Sequence, residues 1–324
     1  MHASYSTSFH REQGFSLVEL MVSLVLGGLI IAAVGTVYLG SRQSFRTQDA
    51  MARMQEGARY AFEAMSVDVR QVGFGCASVN TDAPDADPNH WFHNLFKRPL
   101  LGFESGAGLS SSTTATGAIA NTDALMVLRA DKSRESQLAS ATTTVNPHGV
   151  SDGGWVVVSE VYSDATAYQA TTASGSNIAL NAASALPCRP GAPVAAATNF
   201  MLLPLAGHVY FLRNNAAGEP SLYRETLLAN GTTQAQELVE GVEDMQILYG
   251  VDNTQLTLPE CPDDSCSADA YLDADQVTAA NLWNRVVSVR VTLDMRSPET
   301  NVGTGGDGRL RKTFTNTIAV RNRL

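Results

Sequence analysis

The first seventy residues carry two hydrophobic patterns, one after the other. An apolar run extends from Phe15 to Gly40 and contains a single ionisable side chain, Glu19. About 20 apolar residues are enough to cross a bilayer as a helix, so the run is long enough to span. It is longer than the apolar core of a cleavable secretory signal, which has about 7–15 residues. The pattern predicts a membrane-spanning helix at residues 15–40.

Beyond this run, apolar residues recur at steps of three and four, which is the spacing of one face of an amphipathic helix. The positions that share this face are Met51, Met54, Ala58, Ala61, Phe62, Met65, Val69 and Val72. No proline interrupts the pattern, and Gly73 and Gly75 end it. We therefore predict one continuous helix from Phe15 to about Val72. Its second half, residues 41–75, packs under a globular head.

The rest of the chain, residues 76–324, is predicted to form that head. Apolar and alternating stretches indicate strands at 124–129, 155–162, 209–213, 222–225 and 312–321, and residues 281–293 are predicted to begin with a short helix and to continue as an alternating strand. A glycine-rich turn at 214–220 indicates a hairpin, and residues 238–252 are predicted to form a short helical turn that leads into a strand. No element is predicted for the Ala-, Thr- and Ser-rich tract at 164–197.

The order of these elements predicts the fold class. Strands without long helices between them favour an antiparallel sheet with the helices on one face. We expect an α+β fold in which the long N-terminal helix packs on a mainly antiparallel sheet with long loops.

Composition excludes several classes of function. The 324-residue chain has a net charge of −10, which argues against a nucleic-acid-binding surface. Its six histidines are scattered, and it has neither a phosphate-binding glycine loop nor a Gly-x-Ser-x-Gly nucleophile elbow. We therefore expect no enzymatic activity, no cofactor and no nucleic-acid partner.

The four cysteines are Cys76, Cys188, Cys261 and Cys266. All four follow the predicted membrane helix, in the head that we expect outside the cytoplasm. An even number of cysteines in such a domain is typical of two disulfides. Four residues separate Cys261 from Cys266, and no second pair or nearby histidine completes a zinc site, so a local disulfide is favoured over a metal site. That leaves Cys76 with Cys188, although four cysteines allow three pairings.

An acidic stretch follows the local cysteine pair. Its carboxylates belong to Asp263, Asp264, Asp269, Asp273 and Asp275. Oxygen ligands of this kind suit calcium, but the spacing departs from that of an EF-hand loop. We favour a solvated loop, with Asp275 near a helix start and no bound metal.

The segment Gly14-Phe15-Ser16-Leu17-Val18-Glu19 resembles the processing site of type IV prepilins and type II secretion pseudopilins. The resemblance implies that residues 1–14 are a leader. A prepilin peptidase would cut between Gly14 and Phe15 and methylate the new terminal amine. Glu19 would then pair, inside the membrane, with the terminal amine of a neighbouring subunit.

Parts of the head resemble the PilW family of type IV pilus minor pilins. The resemblance lies in residues 222–225, 240–246, 249–250 and 320–323. It implies a pilin-like fold and a minor pilin that primes pilus assembly and sits in a tip complex. The implied partners are other minor pilins, the major pilin, the membrane and the inner-membrane assembly platform. The subunit would be a single-pass inner-membrane protein with a periplasmic head, and later part of the pilus tip.

Two alternatives remain open from the sequence. One is a J-like minor pseudopilin of a type II secretion system, which would have the same leader and a similarly large head. The other is a tip adhesin whose middle region binds a ligand, because residues 77–199 show no resemblance to the family.

Overall fold

The computed structural model describes residues 14, 16–75, 98–109, 115–160, 165–187, 195–252, 267–303 and 306–320. Its first element is the helix α1, Leu17–Arg70, which is 54 residues long. The predicted single helix is confirmed, and so is the predicted α+β fold with its mostly antiparallel head.

The end of α1 is joined directly to the head. Gly73 has a positive φ of 74°, which a residue without a Cβ adopts easily. Its amide donates to the carbonyl of Leu128 at 2.9 Å, and the amide of Ala130 donates to the carbonyl of Phe74 at 2.8 Å. The predicted helix stop at Gly73 is therefore the place where the chain enters the sheet region.

The described head contains fourteen strands, one short α-helix and three single-turn 3-10 helices. The strands are β1 (Leu100–Phe103), β2 (Ala124–Ala130), β3 (Ser136–Ser140), β4 (Thr143–Thr144), β5 (Trp155–Ser159), β6 (Ala165–Ser174), β7 (Asn177–Pro187), β8 (Met201–Asn214), β9 (Pro220–Leu227), β10 (Thr233–Glu240), β11 (Val242–Val251), β12 (Ala270–Leu272), β13 (Val286–Arg296) and β14 (Arg311–Ala319). The short helix is α2, Ala274–Ala279.

The long strand β8 belongs to two groups of strands. Its second half pairs with β2 and β9, and β1 and β10 extend this antiparallel sheet on either side. Its first half pairs with β3 and β5, which closes a ring in the order β8-β3-β4-β7-β6-β5. Apolar side chains fill the ring, among them those of Leu138, Val156, Tyr168 and Leu202. The ring is therefore a packed core and not a channel.

A second antiparallel sheet has the order β12-β11-β13-β14. Helix α1 packs against β13 and β14 of this sheet and against β2 and β10 of the other. The largest core cluster lies at this contact and includes the helix residues Met54, Ala58, Ala61, Met65, Val69 and Val72. The predicted apolar face of the helix is thus the face that the head buries.

Two predictions about local structure need correction. Residues 238–252 contain no helical turn, because β10 continues to Glu240 and β11 begins at Val242. Gly241 connects them with a φ of 82°, and a Cβ on it would lie 2.5 Å from the carbonyl oxygen of Arg296. The tract at 164–197, for which no element was predicted, contains the β6–β7 hairpin.

Candidate functional site at the N-terminal helix

The segment predicted to be processed lies at the start of α1. Gly14 is exposed, and Ser16 has the extended backbone of a helix N-cap, with φ −67° and ψ 143°. The amide of Leu20 donates to the carbonyl of Ser16 at 3.1 Å, which closes the first turn. Glu19 is exposed in that turn, whereas Phe15 lies outside the described residues. Gly14 and Ser16 therefore precede the regular helix, which begins at Leu17.

The first half of α1 makes almost no contact with the head. Its large apolar side chains, from Leu17 to Phe45, are 51–76 % exposed, and the first buried residue of the helix is Ala50. The most apolar 18-residue window has a mean hydropathy of 2.5. Within the described residues α1 is the one helix long and apolar enough to cross a membrane. An apolar surface of this size must be covered by lipid or by other helices.

The head touches the helix one turn after the apolar run. The side chain of Gln43 donates to the carbonyl of Asn301 at 2.6 Å, and the hydroxyl of Thr47 donates to the carbonyl of Val302 at 3.0 Å. Arg53 lies 3.2 Å from Glu299 in the same connection between β13 and β14. The first part of this connection, residues 297–303, therefore marks the point along α1 at which the free first half ends.

Further along, α1 lies very close to both sheets. A Cβ added to Gly57 would lie 3.0 Å from Cγ1 of Val239 on β10 and 3.2 Å from Cε of Met295 on β13. The glycine, which weakens an isolated helix, therefore permits the close approach of helix and strands. Two ion pairs lie on the opposite, exposed face: Asp49 with Arg53 at 3.1 Å, and Glu56 with Arg59 at 2.6 Å.

A buried polar cluster holds the far end of α1. We call it the Asp68 clamp, and it consists of Asp68, Tyr210, Arg129 and His208. The Tyr210 hydroxyl donates to an Asp68 carboxylate oxygen at 2.6 Å, while Arg129 and His208 approach the other oxygen at 3.5 and 3.6 Å. Asp68 is only 3 % exposed. The clamp therefore joins the helix to β2 and β8 at the end opposite to the free half.

Burial shifts the pKa values of two members of the clamp, His208 and Tyr210. It lowers the pKa of His208 to about 4, so this imidazole is neutral at pH 7. Burial and the neighbouring Asp68 carboxylate raise the pKa of Tyr210, which keeps the phenol a hydrogen-bond donor. Arg129 is therefore the charged partner of Asp68.

The acidic residues of the last third have structural partners. Asp273 caps α2, accepting from the amide of Gln276 at 2.8 Å, and Asp275 lies in the first turn of that helix. The nearby Asp123 accepts from two backbone amides, and burial raises its pKa. The described residues contain no group of three or more carboxylate, imidazole or thiolate side chains placed to hold a metal ion. Asp263 and Asp264 lie outside those residues.

All four cysteines also lie outside the described residues. The pairings of Cys261 with Cys266 and of Cys76 with Cys188 therefore remain predictions. The Asp68 clamp, in contrast, is a feature that the sequence analysis did not identify. The sequence feature that indicates the clamp is a charged residue, Asp68, on a helix face that is otherwise apolar and includes Ala61, Met65 and Val72.

Comparison with known families gives two matches. The family described as "Type IV Pilus-assembly protein W" matches residues 209–322, from the second half of β8 to the end of the second sheet. The "Prokaryotic N-terminal methylation motif" matches residues 9–35, which include Gly14 and Glu19. Comparison with curated proteins and with solved structures gave no match. The N-terminal motif, the free apolar helix and the matched part of the head together support the identification of the chain as a PilW-type minor pilin of the type IV pilus.

Proposed function

We propose that this minor pilin primes assembly of the type IV pilus and sits in a complex with other minor pilins at the fibre tip. The observation that carries the proposal is the division of α1 into two halves. The first half is apolar and exposed, and the second half is held to the head by the Asp68 clamp and the contact at Gly57. A subunit built in this way can leave the bilayer for a helical bundle without any change in its head.

Maturation supplies the charge that assembly uses. Prepilin peptidase cleaves between Gly14 and Phe15 and methylates the amine of Phe15. Within one subunit this amine lies about one helical turn before Glu19, at a rise of about 1.5 Å per residue. An ammonium and a carboxylate are each costly in lipid, and the amine of one subunit and Glu19 of another neutralise each other across an interface. Their pairing sets the axial register between neighbouring helices.

The proposed location follows from the same features. The subunit waits in the inner membrane as a single-pass protein with a periplasmic head, where an oxidising environment permits the two disulfides. The inner-membrane assembly platform then moves it, with other minor pilins and the major pilin, into the fibre. The match of residues 209–322 to the PilW family favours this role over that of a type II secretion pseudopilin.

The test is a deletion strain complemented with the wild-type gene. We expect few or no surface pili without the gene and normal pili with it. Gold-labelled antibody against the head should mark fibre ends, and mass spectrometry should find a chain that starts at N-methyl-Phe15. A chain that still carries residues 1–14, or pili in normal number without the gene, would contradict the proposal.

A further inference from the structure

Four side chains at the end of the apolar run form an unpartnered stripe on α1. They are Tyr38, Arg42, Phe45 and Arg46, at steps of four, three and one, which places them on one face of the helix. All four are exposed, Tyr38 by 61 % and Phe45 by 68 %. None of them forms a hydrogen bond or an ion pair with any residue that the structure describes. We call this set the interfacial stripe.

The head leaves the stripe open. Gln43 and Thr47, which contact the connection at 297–303, lie about a third of a turn further round the helix, at 3.6 residues per turn. The carbonyls of Asn301 and Val302 therefore contact one face of α1, and the interfacial stripe lies on another face at the same level along the helix axis. Neither Arg42 nor Arg46 forms an ion pair with a residue that the structure describes, in contrast to Arg53 and Arg59; the carboxylate of Asp49, which follows Arg46 by three residues, is engaged by Arg53.

The height of the stripe matches the headgroup layer of a bilayer. Arg42 and Arg46 lie about 3 and 9 Å beyond Gly40 along the axis, at 1.5 Å per residue. A headgroup layer is roughly 5–7 Å thick on each side of the hydrocarbon. Tyrosine and tryptophan rings are enriched at this level on both sides of a bilayer, and a long arginine side chain there can extend its guanidinium to the lipid phosphates.

We propose that the interfacial stripe binds the phosphates of anionic phospholipids and so sets the depth and rotation of the stored subunit. The inference rests on the membrane-anchored state described above and is separate from the role in priming. Its functional consequence concerns Glu19, which is about 35 Å from Arg42 along the helix, close to the ~30 Å thickness of the hydrocarbon. With Arg42 held at one headgroup layer, the carboxylate of Glu19 lies at the opposite one. There it stays hydrated until a neighbour's amine is available.

The first test measures depth in the full processed chain, reconstituted in nanodiscs. In the variant Phe45→Trp, the added fluorescence should be quenched more by phospholipids brominated near the headgroup than by lipids brominated near the chain ends. The same measurement on the chain without the substitution gives the contribution of the native tryptophans. Equal quenching at both depths, or none, would overturn the inference.

The second test measures lipid preference in mixed bilayers of phosphatidylglycerol and phosphatidylcholine. Mass spectrometry of lipids retained by the purified chain should show phosphatidylglycerol enriched about fivefold per arginine, and high salt should weaken the enrichment. The double variant Arg42→Gln/Arg46→Gln should lose it. The charge-matched control Arg59→Gln/Arg70→Gln, on the exposed part of α1 beside the head, should retain it.

The outcomes separate this inference from the proposed function. A chain that inserts in the nanodisc but shows no phosphatidylglycerol preference contradicts the inference alone. Loss of fibre incorporation by Arg42→Gln/Arg46→Gln with unchanged lipid retention also contradicts it, since the stripe would then contact protein. A processed chain that does not enter the bilayer contradicts both proposals.

Discussion

The hydroxyl of Tyr210 on β8 donates a 2.6 Å hydrogen bond to Asp68, 142 positions away in the sequence and two residues before α1 ends. Both groups are buried, so neither can exchange its partner for water. The hydrogen bond therefore adds a buried attachment near the far end of α1 to the contacts that Gln43, Thr47 and Arg53 make closer to the free half.

Removal of the Tyr210 hydroxyl should weaken the attachment. Tyr210→Phe leaves a buried Asp68 oxygen without its closest donor, which typically costs about 1–3 kcal/mol. We expect the free energy of unfolding, measured by urea titration of the full chain in detergent, to fall by this amount. The control Tyr60→Phe, at a ring that is 52 % exposed on the same helix, should leave it unchanged. Equal effects of the two variants would show that the clamp contributes nothing.

His208 should make stability depend on pH. Burial lowers its pKa to about 4, compared with about 6.5 in an unfolded chain. Between these values the unfolded chain binds a proton that the folded chain does not, so the free energy of unfolding falls as the pH falls from about 6.5 to 4. The carboxyl groups of the half-buried Glu104 and the buried Asp123, whose pKa values are raised mainly by burial, act in the opposite direction.

A comparison of His208→Gln with the wild type isolates the histidine from those carboxyl groups. Between pH 7 and pH 4.5 the wild type should lose about 2 kcal/mol more than the variant. Urea titrations at the two pH values measure the difference. Parallel pH profiles for the two proteins would mean that His208 is not buried in its neutral form.

The elements that the sequence predicted are those with strong local patterns. Helix α1 was predicted to end at about Val72, and it ends at Arg70. Its length could be predicted because one apolar face continues along it without a break. Strand β13 was predicted from the alternation around Val289 and Val291, which are buried. Strands β6 and β7 were missed because their small side chains give little hydrophobic contrast, and their structure depends on pairing with each other. The Asp68 clamp was missed because its members are far apart in sequence and only the fold brings them together.

The close approach at Gly57 gives a third prediction. A leucine side chain there would enter the space held by Val239 and Met295, and overpacking of a core typically costs 1–3 kcal/mol. We expect Gly57→Leu to lower the melting temperature of the full chain, even though leucine is the better helix former. Ala52→Leu, at an exposed position of the same helix, is the matched control and should have little effect. A stabilised Gly57→Leu variant would show that the helix does not lie this close to the strands.

Glu219 connects the β8–β9 turn with the second sheet. Its carboxylate accepts from Arg296 at 2.5 Å and from Arg309 at 2.8 Å, and the hydrogen bond from Arg296 holds the pKa of Glu219 below its usual value. The stabilisation is present above the unfolded pKa and is lost as the pH falls through the folded one. Glu219→Gln should therefore cost roughly 1 kcal/mol at pH 7 and less in high salt. Glu63→Gln, at an exposed position of α1, should show neither effect in the same urea titrations.

The last prediction concerns the charge of Glu19. Glu19→Gln keeps the size of the side chain and one acceptor oxygen but removes the charge that would neutralise a neighbour's amine in lipid. The peptidase determinant, Gly14, is unchanged, so we expect normal cleavage and methylation by mass spectrometry. Entry into the fibre should fail because the amine of a neighbouring subunit would be left charged and unpaired. Sheared pili should therefore contain little of the variant, whereas Glu63→Gln should enter as the wild type does. Normal incorporation of Glu19→Gln would mean that the register between neighbouring helices is set elsewhere.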